Sequence, residues 1–219
     1  MAIAFDAATD GGNATGTSHT FSHTCTGANR ALAIGVVGDV TSGGNDDITG
    51  VTYNGVACAF VAKVTSTINR FLYLYLIVAP ASGANNVVIS AGSSHFLAGV
   101  AASYTGVGQT GQPDASVSGA LTTSAITGTV TTVADNCWLV GTAYHNFTGN
   151  PLAAGTNTVE RVEDATFTFL GMYDSNAAQT PAGSYSLQVT HISTAIGIIV
   201  MSLAPPGAAG NPFYAYRQQ

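Results

Sequence analysis

Short runs of Val, Ile, Thr, Tyr and Phe recur along the whole chain, each cut by Gly, Pro, Asn or Asp. That is the pattern of strands and turns. No long segment places apolar residues at helical spacing with charges opposite. The runs predict a strand near Phe21 and others at 30–39, 51–53, 57–64, 70–79 and 86–90. Further strands are predicted at 96–104, 126–132, 137–144, 158–163, 166–173, 185–190 and 195–203. No alternation of strand and helix patterns appears, which argues against a parallel α/β sheet. From Thr17 to Cys25 the alternation is clean: Thr17, His19, Phe21, His23 and Cys25 share one face, and Ser18, Thr20, Ser22 and Thr24 the other. The second set should meet water or the hydroxyls of a neighbour. ALAIGVV and GIIVM are apolar at successive positions, as in central strands covered on both sides.

The pattern also repeats. ANRALAIGVVGD resembles DNCWLVGTAYHN, and RFLYLYLIVAPASGANNVVIS resembles TFLGMYDSNAAQTPAGSYSLQVT. FLAGVAASYTG then resembles AIGIIVMSLAP, so the order is the same in both halves. No linker separates them, because residues 106–124 are turn-rich but short for a hinge. The expected fold is all-β: an antiparallel two-sheet β-sandwich of jelly-roll type over 1–204, with halves at about 17–106 and 125–204. Ala204-Pro205-Pro206-Gly207 ends the strand pattern, since proline cannot extend a ladder. Residues 205–219 are read as an extended C-terminal arm. Phe213, Tyr214, Tyr216 and Arg217 on it are the residue types of interface anchors.

Composition narrows the function classes. Of 219 residues, 46% are hydrophobic and only 7% charged, which excludes a disordered chain. Five Lys and Arg against eleven Asp and Glu give a net charge of -6. No basic cluster is present to neutralise phosphates, so no nucleic-acid partner is expected. The longest apolar run, 71–79, is too short for a membrane-spanning helix, and no membrane partner is expected. The opening MAIAFDAATDGG lacks a basic n-region and a long apolar stretch, so no signal peptide is expected. Cys25, Cys58 and Cys137 are odd in number and far apart, as buried free thiols would be.

Candidate chemistry thins out on inspection. Gly106-Val107-Gly108-Gln109-Thr110-Gly111 has the letters of a dinucleotide-binding turn, but Gln112-Pro113-Asp114 and a Ser/Gly-rich stretch follow instead of a helix. His19 and His23 have metalloprotease spacing, yet on a strand residues four apart lie ~13 Å apart, too far for one metal. Glu160 and Glu163 fall on opposite faces of a strand and cannot flank one glycosidic bond. With Arg161 they read as a solvated edge. Asp46-Asp47 after Gly43-Gly44-Asn45 offers oxygens for calcium, but a turn is the plainer reading. Asn13-Ala14-Thr15 and Asn146-Phe147-Thr148 match the glycosylation pattern, which matters only in a eukaryotic secretory pathway. Trp138, the sole Trp, lies in CWLV and reads as core. Tyr73 and Tyr75 share a face with Phe71, which makes that side either a Tyr-rich partner surface or a second packed layer. No catalytic residue, cofactor or metal ligand emerges, and no enzyme is expected.

One series of turns carries a resemblance. It runs Ser22-His23-Thr24, Gly27-Ala28-Asn29-Arg30-Ala31-Leu32, and Gly50-Val51-Thr52-Tyr53-Asn54-Gly55-Val56. It continues through Ala79-Pro80-Ala81-Ser82-Gly83-Ala84-Asn85-Asn86-Val87 and Ser103-Tyr104-Thr105-Gly106-Val107. The series resembles a β-sandwich domain of tailed-bacteriophage virion proteins and uncharacterised bacterial surface proteins. The resemblance implies a structural module and brings no catalytic residue. The first expectation is a virion protein assembled in the host cytoplasm, as a head decoration (cement) protein. Its partners would be the major capsid protein and copies of itself, met through Phe213, Tyr214, Tyr216, Arg217, Tyr73 and Tyr75. The alternative is a carbohydrate-binding or adhesin domain of a phage tail or bacterial surface, with host-surface glycans as partners. Whether Tyr53, Tyr73 and Tyr75 line a concave face separates the two.

Overall fold

A computed structural model describes residues 1–39, 46–65, 70–121, 124–145, 151–164, 169–191 and 196–207. Phe213, Tyr214, Tyr216 and Arg217 lie outside the described residues, as do Gly43-Gly44-Asn45 and Asn146-Phe147-Thr148. No helix occurs among the described residues.

The first half contains β1 (Ala4–Cys25), β2 (Ala31–Asp39), β3 (Ile48–Tyr53), β4 (Val56–Ala57), β5 (Ala59–Thr65), β6 (Arg70–Val78) and β7 (Gly83–Thr105). The second contains β8 (Ala115–Leu121), β9 (Ala125–Thr131), β10 (Trp138–His145), β11 (Ala153–Ala154), β12 (Val159–Asp164), β13 (Leu170–Asp174), β14 (Ser184–Thr190) and β15 (Ile196–Leu203). All pairings are antiparallel.

Two strands are far longer than the local pattern predicts. β1 and β7 pair along their whole length, from Ala4↔Thr105 to Cys25↔Gly83. Register shifts at Asp10/Asn13 and Gly16/Ser18 bend this ribbon in the middle. One arm of β7 then pairs with β2, through Phe96 to Tyr104. Its other arm pairs with β3, through Val87 to Ala91. The bent ribbon thus carries one sheet over onto its own face. Leu32 and Ile34 of β2 and Tyr73 and Tyr75 of β6, in the inner layer, pack there against Phe21, Val51, Val87 and Ile89 of the outer layer. Phe21 fits only because Gly99 has no side chain; a Cβ there would stand 2.6 Å from its ring.

The second half repeats these pairings with separate strands. β8 and β15 meet as the first arm of β1 meets β7, and β9 and β14 as the second arm does. β10 lies between β13 and β15 as β2 lies between β6 and β7. β12 flanks β13 as β5 flanks β6, and β11 flanks β14 as β3 flanks β7. Asn29 and Asn136, matched in the sequence echo, both adopt the left-handed conformation just before these central strands, at φ 52 and 60. Asn tolerates that region better than most residues.

The result, among the described residues, is four layers with three large apolar cores between them and a small fourth cluster of Ala134, Cys137 and Ala204. The middle core joins the halves: Ala33, Leu74, Val100 and Tyr104 face Trp138, Val140, Met172 and Ile199. The outermost layer of the second half is β11-β14-β9, sealed by Ile126, Leu139, Leu187 and Val200. A single pair of sheets could not cover strands as apolar as β2 and β10 on both faces, so further layers complete the burial. Trp138 is core, edge-on to Tyr104 at 6.0 Å, and the three cysteines are buried and free.

Arg161 departs from the solvated edge expected for it. It makes a bidentate pair with Asp174, which is fully buried, and lies 4.2 Å above the Phe5 ring. Tyr104 Oη donates to the same carboxylate at 3.1 Å. The group ties β1, β7, β12 and β13 together across the two halves. Burial selects arginine here because its planar fork satisfies both carboxylate oxygens.

Candidate functional site

An open cleft of about 790 Å³ lies on the side of the first half. It forms where the outer layer ends at β3–β4 and the inner layer ends at β5. Tyr73 and Tyr75, two apart on β6, form its floor, with their rings stacked at 6.4 Å. Phe60 of β5 stands on Tyr75, edge to face at 5.7 Å, and is 55% exposed. Val56 on β4 is 57% exposed and lines a neighbouring cavity. A second cavity of about 350 Å³ adjoins the cleft, sharing Ala57 and reaching Gln112.

The polar groups of the cleft gather at its mouth. Asp46 accepts the Tyr73 hydroxyl and pairs with Lys63 of β5. Burial, with Tyr75 close by, pushes the Tyr73 phenol up, so it stays a donor. Burial also raises the Cys58 thiol at the cleft wall to about 12, which makes it a poor nucleophile at neutral pH. β5 ends its sheet, pairing among the described residues with β6 alone. A terminal strand has backbone groups able to take another strand, and β5 contributes Phe60 and Lys63 to the cleft wall.

Tyr73 and Tyr75 thus face a concave wall, but as its packed floor: they are 3% and 5% exposed, and Tyr53 is fully buried. Tyr53 donates to the carbonyls of His23 and Gly83 instead. A sugar ring needs an open aromatic face, and here only Phe60 offers one.

Asp47 turns away from its neighbour Asp46. It accepts Ser93 Oγ at 2.6 Å and pairs with His95 Nε2. Ser93 Oγ also meets His95 Nε2, at 3.0 Å. Serine, histidine and aspartate thus meet at one place, a convergence the sequence does not reveal. A hydrolytic triad needs serine and aspartate on opposite ring nitrogens, whereas here both use Nε2. The arrangement pins the chain before β3 to the bend of β7. Both carboxylates of the calcium candidate are committed to protein partners in this way.

The remaining candidates are structural. His19 Nε2 meets the Gly11 carbonyl at 3.0 Å. His23 Nδ1 meets Thr9 Oγ1 at 2.9 Å, and burial lowers the imidazole to about 4. Burial raises Glu163 to about 7, with Glu160 and Asp164 adding to it, while its carboxylate accepts the Leu152 amide at 2.7 Å. His145 is sandwiched between His191 at 3.6 Å and Phe169 at 4.6 Å, a stack no sequence spacing suggests. The Gly106–Gly111 segment leads from β7 to β8 with no helix, so it cannot hold a pyrophosphate at a helix N-terminus.

Compared with known proteins, the chain matches no family model, no curated protein and no solved structure.

Proposed function

We propose that the chain is a non-enzymatic structural protein of a bacteriophage virion, assembled in the host cytoplasm, and that it serves as a head decoration (cement) protein. One observation carries the reading: the strands of both outer layers are free of charged side chains. The second arms of β1 and β7, with β3, contain no Asp, Glu, Lys or Arg, and neither do β9, β11 and β14. Ser18, Thr20, Ser22 and Thr24 are exposed on one face, and Thr127, Thr129 and Thr131 on the opposite one. Uncharged sheet faces of this extent are what lattice contacts use, because the centres of interfaces are depleted of charge. The layers between hold the two faces at a fixed separation, as a clamp across capsomers requires. Weak contacts repeated over a shell then add by multivalency.

The carbohydrate-binding reading has less support, since the tyrosines that would form its platform are packed into the cleft floor. A direct test adds purified protein to particles that lack it. Thr20→Lys and Thr129→Lys place a charge on each outer face at exposed positions. Each is expected to fold normally and to lower occupancy on the particle by tenfold or more. Loading equal to that of the unmodified chain would overturn the proposal.

A further inference from the structure

The cleft has the makings of a strand-acceptor site. Its floor is aromatic, its wall carries the exposed Phe60, Asp46 and Lys63 line it, and β5, which supplies Phe60 and Lys63, is the last strand of its sheet. An extended peptide uses such features together. Its backbone adds to the edge, while alternate side chains enter the apolar wall. A compact ligand would leave the edge unused.

The chemistry of the occupant is present in this same chain. Residues 208–219 read AAGNPFYAYRQQ, with three aromatics and one cation and no acidic side chain. The other 207 residues hold four Lys and Arg against eleven Asp and Glu, a formal charge of -7. Cation and aromatics therefore sit on the segment, and carboxylates and an aromatic floor on the body. Tyr214 and Tyr216 are two apart, the spacing at which side chains leave a strand on one face. Twelve extended residues span about 40 Å, enough to cross from one molecule to the next.

The last described residues head outward. Ala204 is held by Gln112, which accepts its amide at 3.0 Å and donates to its carbonyl at 3.0 Å. Exposure then rises from buried Ala204 through Pro205 to the exposed Pro206 and Gly207. Two successive prolines keep the chain extended and off its own sheet edges.

We propose that the Tyr73–Tyr75–Phe60 cleft is the acceptor for the C-terminal segment 208–219 of a second copy of this chain. The segment pairs with β5, its tyrosines pack on Phe60, and Arg217 reaches the carboxylate of Asp46. The choice of a neighbouring copy rests on the structural-protein reading above, in which copies are linked to one another. The two sets of residues singled out in the sequence, 73 and 75 on one side and 213–217 on the other, become the two sides of one contact.

A photo-cross-linking amino acid at Phe213 of the full-length chain tests this in solution. Unlabelled and 15N-labelled chains are mixed, so that linked peptides report whether one copy or two are joined. The expected products are mixed-isotope links from position 213 to residues 56–63, reduced fivefold or more by Phe60→Ser with unchanged circular dichroism. A synthetic peptide of residues 208–219 should compete with them. Links within one copy, links outside the cleft, or links indifferent to Phe60→Ser would overturn the proposal. So would displacement of the segment by free oligosaccharide and not by the peptide. The virion reading is judged separately, by whether particles carry the chain at all.

Discussion

Single residues decide where this fold is strong. Arg161 is 15% exposed and its partner Asp174 fully buried, so Arg161→Met strands a carboxylate away from water. The expected loss is about 3–5 kcal/mol of unfolding free energy in urea. Lys63→Met breaks a pair that is 43% exposed at the lysine and is expected to cost less than about 1 kcal/mol. Similar costs for the two would refute the assignment of Arg161 as the tie between halves. Gly99→Ala drives a methyl into Phe21 and Ile89, and about 1–3 kcal/mol should be lost. Two titrations oppose each other. His23 stays neutral in the fold down to about pH 4, whereas the unfolded chain takes up that proton near 6.5. Its share of stability therefore falls as pH drops across that window, by on the order of 3 kcal/mol. Glu163 titrates near 7 in the fold and near 4.5 when unfolded, so its share falls as pH rises. Glu163→Gln should steepen the rise of stability between pH 4.5 and 6.5, and His23→Gln should flatten or invert it. Urea midpoints across that range read both.

At the level of elements, the periodicity of the chain foretells most strands, and the reason is local. Alternation and Gly/Pro punctuation are properties of a few neighbouring residues. From Ser18 onward the exposed and buried faces of β1 follow the expected alternation. What escapes a local reading is set by partners far away in sequence. From Asp6 to Gly16 no apolar residue is larger than alanine, and the stretch is a strand because β7 pairs with it. β8, hidden in a stretch that reads as turns, exists because β15 offers it an edge. The Arg161–Asp174–Tyr104 group and the Asp47–Ser93–His95 group each include a distant member, Tyr104 being 70 positions from Asp174 and Asp47 46 from Ser93, so no spacing announces them. The pairing also predicts unequal protection. Amides of β2, β10 and β15, central in their sheets, should exchange with deuterium slowest. Those of β4 and β11, two residues each at sheet margins, should exchange fastest. Equal rates across these strands would contradict the layer order.

The whole molecule is two similar β-bodies sharing one apolar seam. Because that seam contains residues of both, neither half can unfold without exposing the other. A single cooperative transition is expected, with Trp138 fluorescence and far-ultraviolet circular dichroism giving coincident urea curves. Separate midpoints would mean that the halves fold independently. The same stack presents an uncharged, hydroxyl-bearing face at each end and an aromatic cleft at one side, which together support a building-block role. The most direct test of that proposed role is cryo-electron microscopy of native particles isolated from the source of the chain. The account predicts density for the four-layer body on the head, with its outer faces against capsomers at their junctions. Particles without the chain, or with it confined to a tail tip and a glycan-facing cleft, would contradict it.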